Sequence, residues 1–511
     1  MNMNSFRLLE TFTVLFVLGT GVLAQSQPTP AKRAGAHVEI SEVTSAPIYR
    51  ARILFRVGAA LDPAGQEGLA SLTAAMLAKG GSKKQSYEEI VTRLYPMSAS
   101  FESQVDKEMT LFTAASHLET LKDYWVLITE MLTQPGFRED DFKRLKEDAI
   151  NYLKVSLSNG NDEELGKEHL YNIIYRGHPY GHHNQGTVRS LEKITLADVN
   201  AFYRRYYTAA NLTVAASVPR GLPVDFSPSV VSLADALPKS EMIPALRIPQ
   251  PQLRQGIEID ILQRETRSTG ISIGFPISVK RGDPDYPALL VASYYFGQHR
   301  SSNSHLYQQL REARGLNYGD YSYIEYFPRG MFLFQPEPNL ARQQQIFQIW
   351  IRPVQPEHGH FALRAALFEW DKLVKNGLSK EDFEATKMFL TKFAGILTQT
   401  TDANLGYQLD SRYYGTPSFV DYIGETMKKL SLAQVNAAIK RHIGSKTPRI
   451  VVVTKDAEGL QKLIIANSPS PITYNSTKPV EILVEDKLIE RYPIIVDSSR
   501  VRILPAAQAF E

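Results

Sequence analysis

A chain of 511 residues with 43% hydrophobic content exceeds what one ordinary core fills, so two or more domains are expected. A formal charge of +3 is close to balance, and nothing in it suggests the clustered basic surface of a nucleic-acid binder. The absence of cysteine excludes disulfides, thiolate metal sites, a cysteine nucleophile and a lipid-modified N-terminal cysteine, so any transition-metal site must draw on carboxylates and the 11 histidines.

The first 24 residues have three parts: Arg7, an apolar run over 12–18, and the small residues Val22 and Ala24. This predicts a signal peptide and an exported protein, periplasmic or secreted. No later run reaches the ~18 apolar residues of a membrane span. Residues 25–36, rich in Pro, Ser and Ala, predict a flexible lead-in.

Further along, residues 53–57 predict a strand, and Ser86 with Glu89 predicts a capping box opening a helix toward Leu94. Residues 98–105 and 108–116 predict two strands around a turn at Asp106-Lys107. Leu118, Leu121, Trp125, Ile128, Met131 and Leu132 recur at helical spacing. Thr195 and Ser431 suit helix N-caps, and residues 214–218 and 450–454 predict short strands. Seven prolines between 219 and 251 predict an extended linker over 219–255.

Internal repetition organises these elements. Gly136, Asp141, Phe142 and Lys146 recur 241 positions later as Gly377, Asp382, Phe383 and Lys387. The run Leu-Ala-x-Val-Asn-Ala at 196–201 recurs 236 positions later at 432–437, and Asp62-Pro63 has a weaker echo in Asp283-Pro284. Order and spacing are kept, so two copies of a whole domain are expected, at 37–218 and 256–467, with a tail of strand and coil at 468–511 packed on the second copy. Strands segregated from long helices predict an α+β fold. Each domain is then a mainly antiparallel sheet covered by helices on one face, and the pair is arranged as a clam.

Several stretches carry a family resemblance: Gly58-Ala-Ala-Leu-Asp62 after the strand at 53–57, Gly68-Leu-Ala-Ser-Leu-Thr-Ala-Ala-Met-Leu-Ala-Lys-Gly80, Gly177-His-Pro-Tyr-Gly181, Gly186-Thr187, residues 206–211, and the run from Ser304 to Tyr318. In this order they resemble the pitrilysin/insulinase zinc peptidases, in the form with two repeated domains, over residues 38–467. The resemblance implies a first helix bearing His-x-x-Glu-His, with two zinc ligands and a general base on one face. Here Ser71, Ala74 and Ala75 occupy those places, and the family's third ligand, a glutamate, falls near Asn151, with Glu147 one turn earlier. A hydroxyl and methyl groups cannot replace these ligands and the base, so no metal is expected in this chain.

The family also carries an Arg and a Tyr seven residues apart, across the cleft from zinc, where they bind the scissile carbonyl region. Arg311 and Tyr318 match, with Arg314 as a neighbour that complicates the assignment. Read without the resemblance, the same residues describe an exposed helix end with Gly315 as its C-cap. Some family members assemble from two different chains, one bearing zinc and the other the Arg/Tyr pair. The resemblance therefore implies a non-zinc subunit of a heteromeric metallopeptidase, with zinc and an intact His-x-x-Glu-His in the partner and a peptide as substrate. The rival expectation is a non-catalytic peptide-binding or scaffold protein; hydrolysis by this chain through another site is a third.

Other candidates have plainer accounts. His178, His182 and His183 invite a metal reading, yet adjacent loop histidines are usually solvated, and His358 and His360 read as a loop or helix start. Ser71 lacks a Gly-x-Ser-x-Gly elbow, and Glu147 with Asp148 reads as a solvated helix face. Tyr294, Tyr295, Phe296, Tyr321, Tyr323, Tyr326 and Phe327 are expected as core, some lining a cleft. Asn211 and Asn475 match the glycosylation pattern and are taken as chance.

Overall fold

The computed structural model describes residues 37–44, 46–219, 227–239, 246–333, 335–445 and 447–511. The expected signal peptide (1–24), the lead-in (25–36) and two parts of the expected linker (220–226 and 240–245) lie outside the described residues.

Strands β1 (His37–Thr44), β2 (Ile48–Phe55), β3 (Ser100–Val105), β4 (Thr110–His117) and β5 (Leu212–Pro219) form one sheet in the order β1-β5-β2-β4-β3. Strands β6 (Glu258–Gln263), β7 (Thr269–Ile277), β8 (Asn317–Tyr323), β9 (Gln345–Val354), β10 (Arg449–Thr454) and β11 (Val501–Pro505) form the other, in the order β11-β6-β10-β7-β9-β8. The β1–β5, β6–β10 and β6–β11 pairings are parallel and the rest antiparallel. Read side by side, β1-β5-β2-β4-β3 and β6-β10-β7-β9-β8 are the same path, so the repetition in the sequence is a repetition of topology. The tail adds β11 to the edge of the second sheet, while its last residues, Ala506 and Phe510, pack in the core of the first half rather than on the second copy.

The predicted local signals take the expected form. Ser86, Thr195 and Ser431 each accept from the backbone N–H three residues on, and each closes a reciprocal capping box. Two helices were not expected. Ser227–Ala236 lies inside the segment read as extended linker, and Val480–Ile489 lies in the tail. The tail helix gives no amphipathic signal: Val480, Leu483, Val484 and Leu488 are exposed while Asp486 is buried against Arg314.

Each sheet has helices of its own half on one face and a single helix from the other half on the opposite face. The helix Asp162–Ile174 of the first half lies on β7 and β10, and the helix Thr401–Tyr414 of the second half lies on β1, β2 and β5. This exchange explains the composition of β10. Ile450 and Val452 belong to the core of the second half, while Val451 and Val453 join the core of the first, so the strand is buried on both faces and reads as an unbroken aliphatic run. The two exchanged helices also match in sequence. Asp162, Leu165 and Gly166 recur 240 positions later as Asp402, Leu405 and Gly406. Each Asp pairs with an arginine of the other half, Asp162 with Arg264 at 2.7 Å and Asp402 with Arg52 at 2.6 Å.

One connection breaks the symmetry. Residues 106–109 make a tight turn between β3 and β4, whereas residues 324–344 join their counterparts β8 and β9. The longer connection docks on the shorter. Arg342 Nε donates to Asp106 Oδ2 at 2.7 Å with both groups buried, and Gln343 N donates to Glu108 at 2.6 Å. Burying a charge is tolerated only with such pairing.

Candidate functional site

The helix Leu69–Lys79 carries the positions of the zinc motif. Gly68 enters it at φ 99°, and a Cβ there would lie 2.4 Å from the Gln185 carbonyl oxygen, so only glycine fits. Asp62 accepts from the Gly68 and Ala70 N–H groups at 2.7 Å each, satisfying donors at the helix start. Ser71 and Ala75 face an open cavity, while Ala74 is fully buried beneath them. Ser71 Oγ donates to the Asn184 carbonyl at 2.5 Å and meets no base, which ends any reading of it as a nucleophile.

The helix Glu139–Asn151 turns Leu145 and Ala149 toward the cavity, followed by Tyr152, while Glu147, Asp148 and Asn151 are exposed, Asp148 at the cavity rim. Of this helix's carboxylates Asp148 alone lines the cavity, and its side chain is 69% exposed and 4.0 Å from Arg144. Among the described residues no group of three or more His, Asp or Glu side chains is placed to hold a metal ion.

The floor of the cavity comes from the exchanged helix Asp162–Ile174 and the loop after it, and part of its wall from Tyr326, Pro328, Arg329, Glu337 and Leu340 of the 324–344 connection. Glu168 and His183 both lie there, 7% and 8% exposed, with Nε2 and Oε2 3.9 Å apart. Burial pushes Glu168 up to about 7, against the pull of Lys167, and burial together with Lys107 holds His183 down at about 3. Lys107 itself, buried and facing Arg342, falls to about 7 and donates to the His182 carbonyl.

The loop histidines do not converge. His178 Nε2 donates to the Pro249 carbonyl at 2.9 Å, His182 Nε2 meets Asp62 at 3.2 Å, and His183 faces the cavity. His360 is buried in the second core with neither ring nitrogen hydrogen-bonded. Asn211 is buried and donates to the Tyr206 carbonyl. Tyr321, Phe327 and Trp350 pack as a small separate cluster, and Tyr326 alone of the expected aromatic group reaches the motif cavity.

Arg311 lies on the π-helical turn Tyr307–Glu312, and Tyr318 is the second residue of β8. Gly315, at φ 66°, turns the chain between them. The Arg311 guanidinium lies between two rings, 4.8 Å from the Tyr307 centroid and 4.3 Å from that of Tyr318, and its Nη1 donates to the Tyr318 carbonyl at 3.0 Å. Tyr318 is 70% exposed. Arg314, the neighbour that complicated the assignment, is buried and held by Asp486 at 2.8 Å and Glu485 at 2.6 Å from the tail helix. Of the two, only Arg311 makes no salt bridge among the described residues. Behind it Asp320 is buried on β8, and that burial, against the pull of Asn317, raises its carboxyl to about 8.

The family model described as "Insulinase (Peptidase family M16)" matches residues 38–188, and the one described as "Peptidase M16 inactive domain" matches 193–390. Among curated proteins, an "uncharacterized zinc protease" of Rickettsia bellii is 23% identical over 287 residues, which cover 55% of this chain and 66% of that protein. One of Streptomyces coelicolor is 24% identical over 254 residues, 48% of this chain and 53% of that protein. The chain thus spans less than two thirds of each. Among solved structures, a peptidase M16 inactive domain from Pseudomonas fluorescens superposes with a TM-score of 0.70 at 25% identity, covering 82% of this chain and 95% of that one. A protease from Helicobacter pylori gives 0.68 at 13% identity, with 82% and 99% covered, and the periplasmic protease PqqL from Escherichia coli gives 0.63 at 15%, with 82% and 44% covered.

Fold and site together define a duplicated α+β peptidase scaffold whose first-half motif has lost its metal ligands. The chain belongs to the pitrilysin/insulinase-type peptidase family, M16.

Proposed function

We propose that this chain is the zinc-free subunit of a heteromeric M16-type metallopeptidase, exported to the periplasm or beyond, that supplies Arg311 and Tyr318 and part of the peptide cleft to a zinc-bearing partner. The observation that carries the reading is an asymmetry. The motif positions hold Ser71, Ala74 and Ala75, while Arg311 and Tyr318 remain at the surface with a guanidinium and a phenol available. Both groups donate hydrogen bonds, and a carbonyl oxygen gathers negative charge as water adds to it, so their chemistry suits that oxygen. Zinc in the partner would supply an activated water and polarise the same carbonyl; in this chain the residues present do not fit the ion. No helix among the described residues is long and apolar enough to cross a membrane.

The test is reconstitution. The purified chain alone should cleave no peptide. Mixed with a two-domain relative that bears His-x-x-Glu-His and co-purifies from the same host, it should restore cleavage, falling by roughly 100-fold in Arg311→Ala, the scale seen when an oxyanion donor is removed. Full activity in both Arg311→Ala and Tyr318→Phe removes the pair from the reaction. One observation favours the rival reading as a scaffold: Arg311 already gives one donor to the Tyr318 carbonyl. On that reading the complex forms normally and neither substitution changes the rate.

A further inference from the structure

The helix Asp162–Ile174 is buried almost all round although it carries six ionisable residues in its first eight positions. Five of the six are matched. Asp162 meets Arg264, Glu163 meets Arg352, Glu164 and Lys167 meet each other, and His169 meets Asp260 at 2.9 Å. Glu168 is the exception. Its Oε1 accepts a long hydrogen bond from the Tyr326 hydroxyl at 3.5 Å, while His183 Nε2 stands 3.9 Å from Oε2, beyond hydrogen-bonding reach.

The other side of that gap is equally defined. The Gln185 backbone N–H donates to His183 Nδ1 at 3.1 Å, which leaves the ring proton on Nε2. Nε2 is therefore a donor and Glu168 an acceptor. Both residues line the cavity left by the lost metal motif, and Tyr152 stands beside the imidazole with ring centroids 6.0 Å apart. The cations around Glu168 have other partners: Lys167 is held by Glu164, Arg342 by Asp106, and Lys107 by the His182 carbonyl. An ammonium ligand would meet these three cations and the Nε2 proton, and a carboxylate would meet Glu164 and the ionised form of Glu168. A neutral planar group with one acceptor and one donor side by side meets neither objection.

We infer that Glu168 and His183 form a binding site for a primary carboxamide, the side chain of an Asn or Gln in a peptide or a free small amide. The carbonyl oxygen accepts from His183 Nε2–H, and the amide nitrogen donates to Glu168. In such a group the O and N atoms lie about 2.3 Å apart, given C=O and C–N bonds of ~1.23 and ~1.33 Å, so two slightly splayed hydrogen bonds span a 3.9 Å donor–acceptor pair. A peptide-backbone amide does not fit, because its trans geometry points N–H and C=O in opposite directions. The neutral state in which burial holds His183 agrees with this pairing. The inference concerns this chain alone and does not depend on a partner subunit.

The experiment titrates the full chain, without partner, by calorimetry. Its probes are acetyl-Ala-Gln-Ala-methylamide and acetyl-Ala-Asn-Ala-methylamide, the Leu-containing isostere, and propionamide. The expected result is that a Gln or Asn peptide binds and the Leu peptide binds at least about tenfold more weakly, because a site built to hydrogen-bond rejects an analogue that leaves it unpaired. Glu168→Met and His183→Phe should each weaken binding by a similar factor at unchanged melting temperature. Ala75→Phe, which fills the cavity from the motif helix without touching either group, should abolish it. Propionamide binding as tightly as the peptides assigns the site to free amides, and peptide preference assigns it to a peptide side chain. Equal binding of the Leu peptide overturns the inference. So does wild-type affinity in Glu168→Met and His183→Phe, or no binding of any amide at 10-millimolar probe (about the weakest affinity worth recognising), which would leave the gap to a bridging water alone.

Discussion

His360 sits in the second core on the inner face of the helix Gly359–Asn376, with both ring nitrogens buried and without a hydrogen-bond partner among the described residues. Burial, with Arg364 nearby, holds it down at about 4. In the unfolded chain it binds a proton below about 6.5, so between 6.5 and 4 the unfolded state holds more protons than the folded one. Stability from this residue is therefore present above pH 6.5 and lost as pH falls toward 4. His360→Leu should stabilise the protein by about 1 kcal/mol at pH 7 by removing an unsatisfied polar ring, and the gain should widen at pH 5. Urea midpoints at the two pH values check both parts. A constant difference would mean that the folded protein protonates this ring as readily as the unfolded chain does.

The old motif shows how thoroughly a site can be lost at the same scale. Ala74 is fully buried, so a glutamate there puts a carboxyl group into the core, at about 1–3 kcal/mol even in its neutral form. The triple change Ser71→His, Ala74→Glu, Ala75→His should therefore lower the melting temperature. It should also fail to hold stoichiometric zinc, since Asn151 is exposed and supplies no carboxylate as third ligand. Metal analysis of the dialysed variant decides this. The sequence made that loss visible because ligand chemistry is carried by residue type. Near the expected third-ligand position, Asn151 is exposed and the next residue, Tyr152, lines the cavity where the π-helical turn Tyr152–Leu157 begins.

At the scale of the element, the exchanged helices were the part least visible beforehand. Asp-x-x-Leu-Gly occurs in both copies, but the first instance sits in a run so charged that it resembles a solvated helix. Its burial depends on Arg264, Arg352 and Asp260, residues ~90–190 positions away that no local periodicity reports. Capping boxes, short strands and the duplication were legible because each is a local or repeated signal. The mainly antiparallel character of each sheet was legible but strand order was not, since it depends on pairing between distant segments, and the tail helix was missed because its buried face is ionic.

The two glycines of that motif make different demands. A Cβ on Gly166 would approach Val453 Cγ2 to 3.2 Å, a contact that a small shift relieves, whereas on Gly406 it would fall 2.3 Å from the Pro338 ring. Pro338 precedes Asn339, which accepts from Arg52 Nη1 at 2.8 Å and donates to Asp410, so the clash pushes on a fixed point of the 324–344 connection. Gly406→Ala should cost about 1–3 kcal/mol and Gly166→Ala well under that. Denaturation of the two variants side by side tests whether positions equivalent in the repeat are equivalent in packing.

Across the whole molecule, exchange of helices binds the halves into one thermodynamic unit. Without the helix Asp162–Ile174 the second sheet would expose Leu262, Val451 and Val453, residues that belong to the first core. Without the helix Thr401–Tyr414 the first sheet would expose Leu54, Leu111 and Ala215, which now pack against Leu405 and Leu409. The buried Asp106–Arg342 pair would be split, leaving two uncompensated charges. A linker of any length is therefore secondary to the interlock. Full-length protein should unfold in a single calorimetric transition with coincident fluorescence and circular dichroism. Residues 246–511 produced alone should aggregate or lack a cooperative melt, and should fold when residues 37–219 are co-expressed. Cleavage between residues 240 and 245 should leave the two pieces together on a sizing column. A cooperative melt of 246–511 by itself would show that the second sheet tolerates a bare face, and the halves would then be independent domains that merely touch.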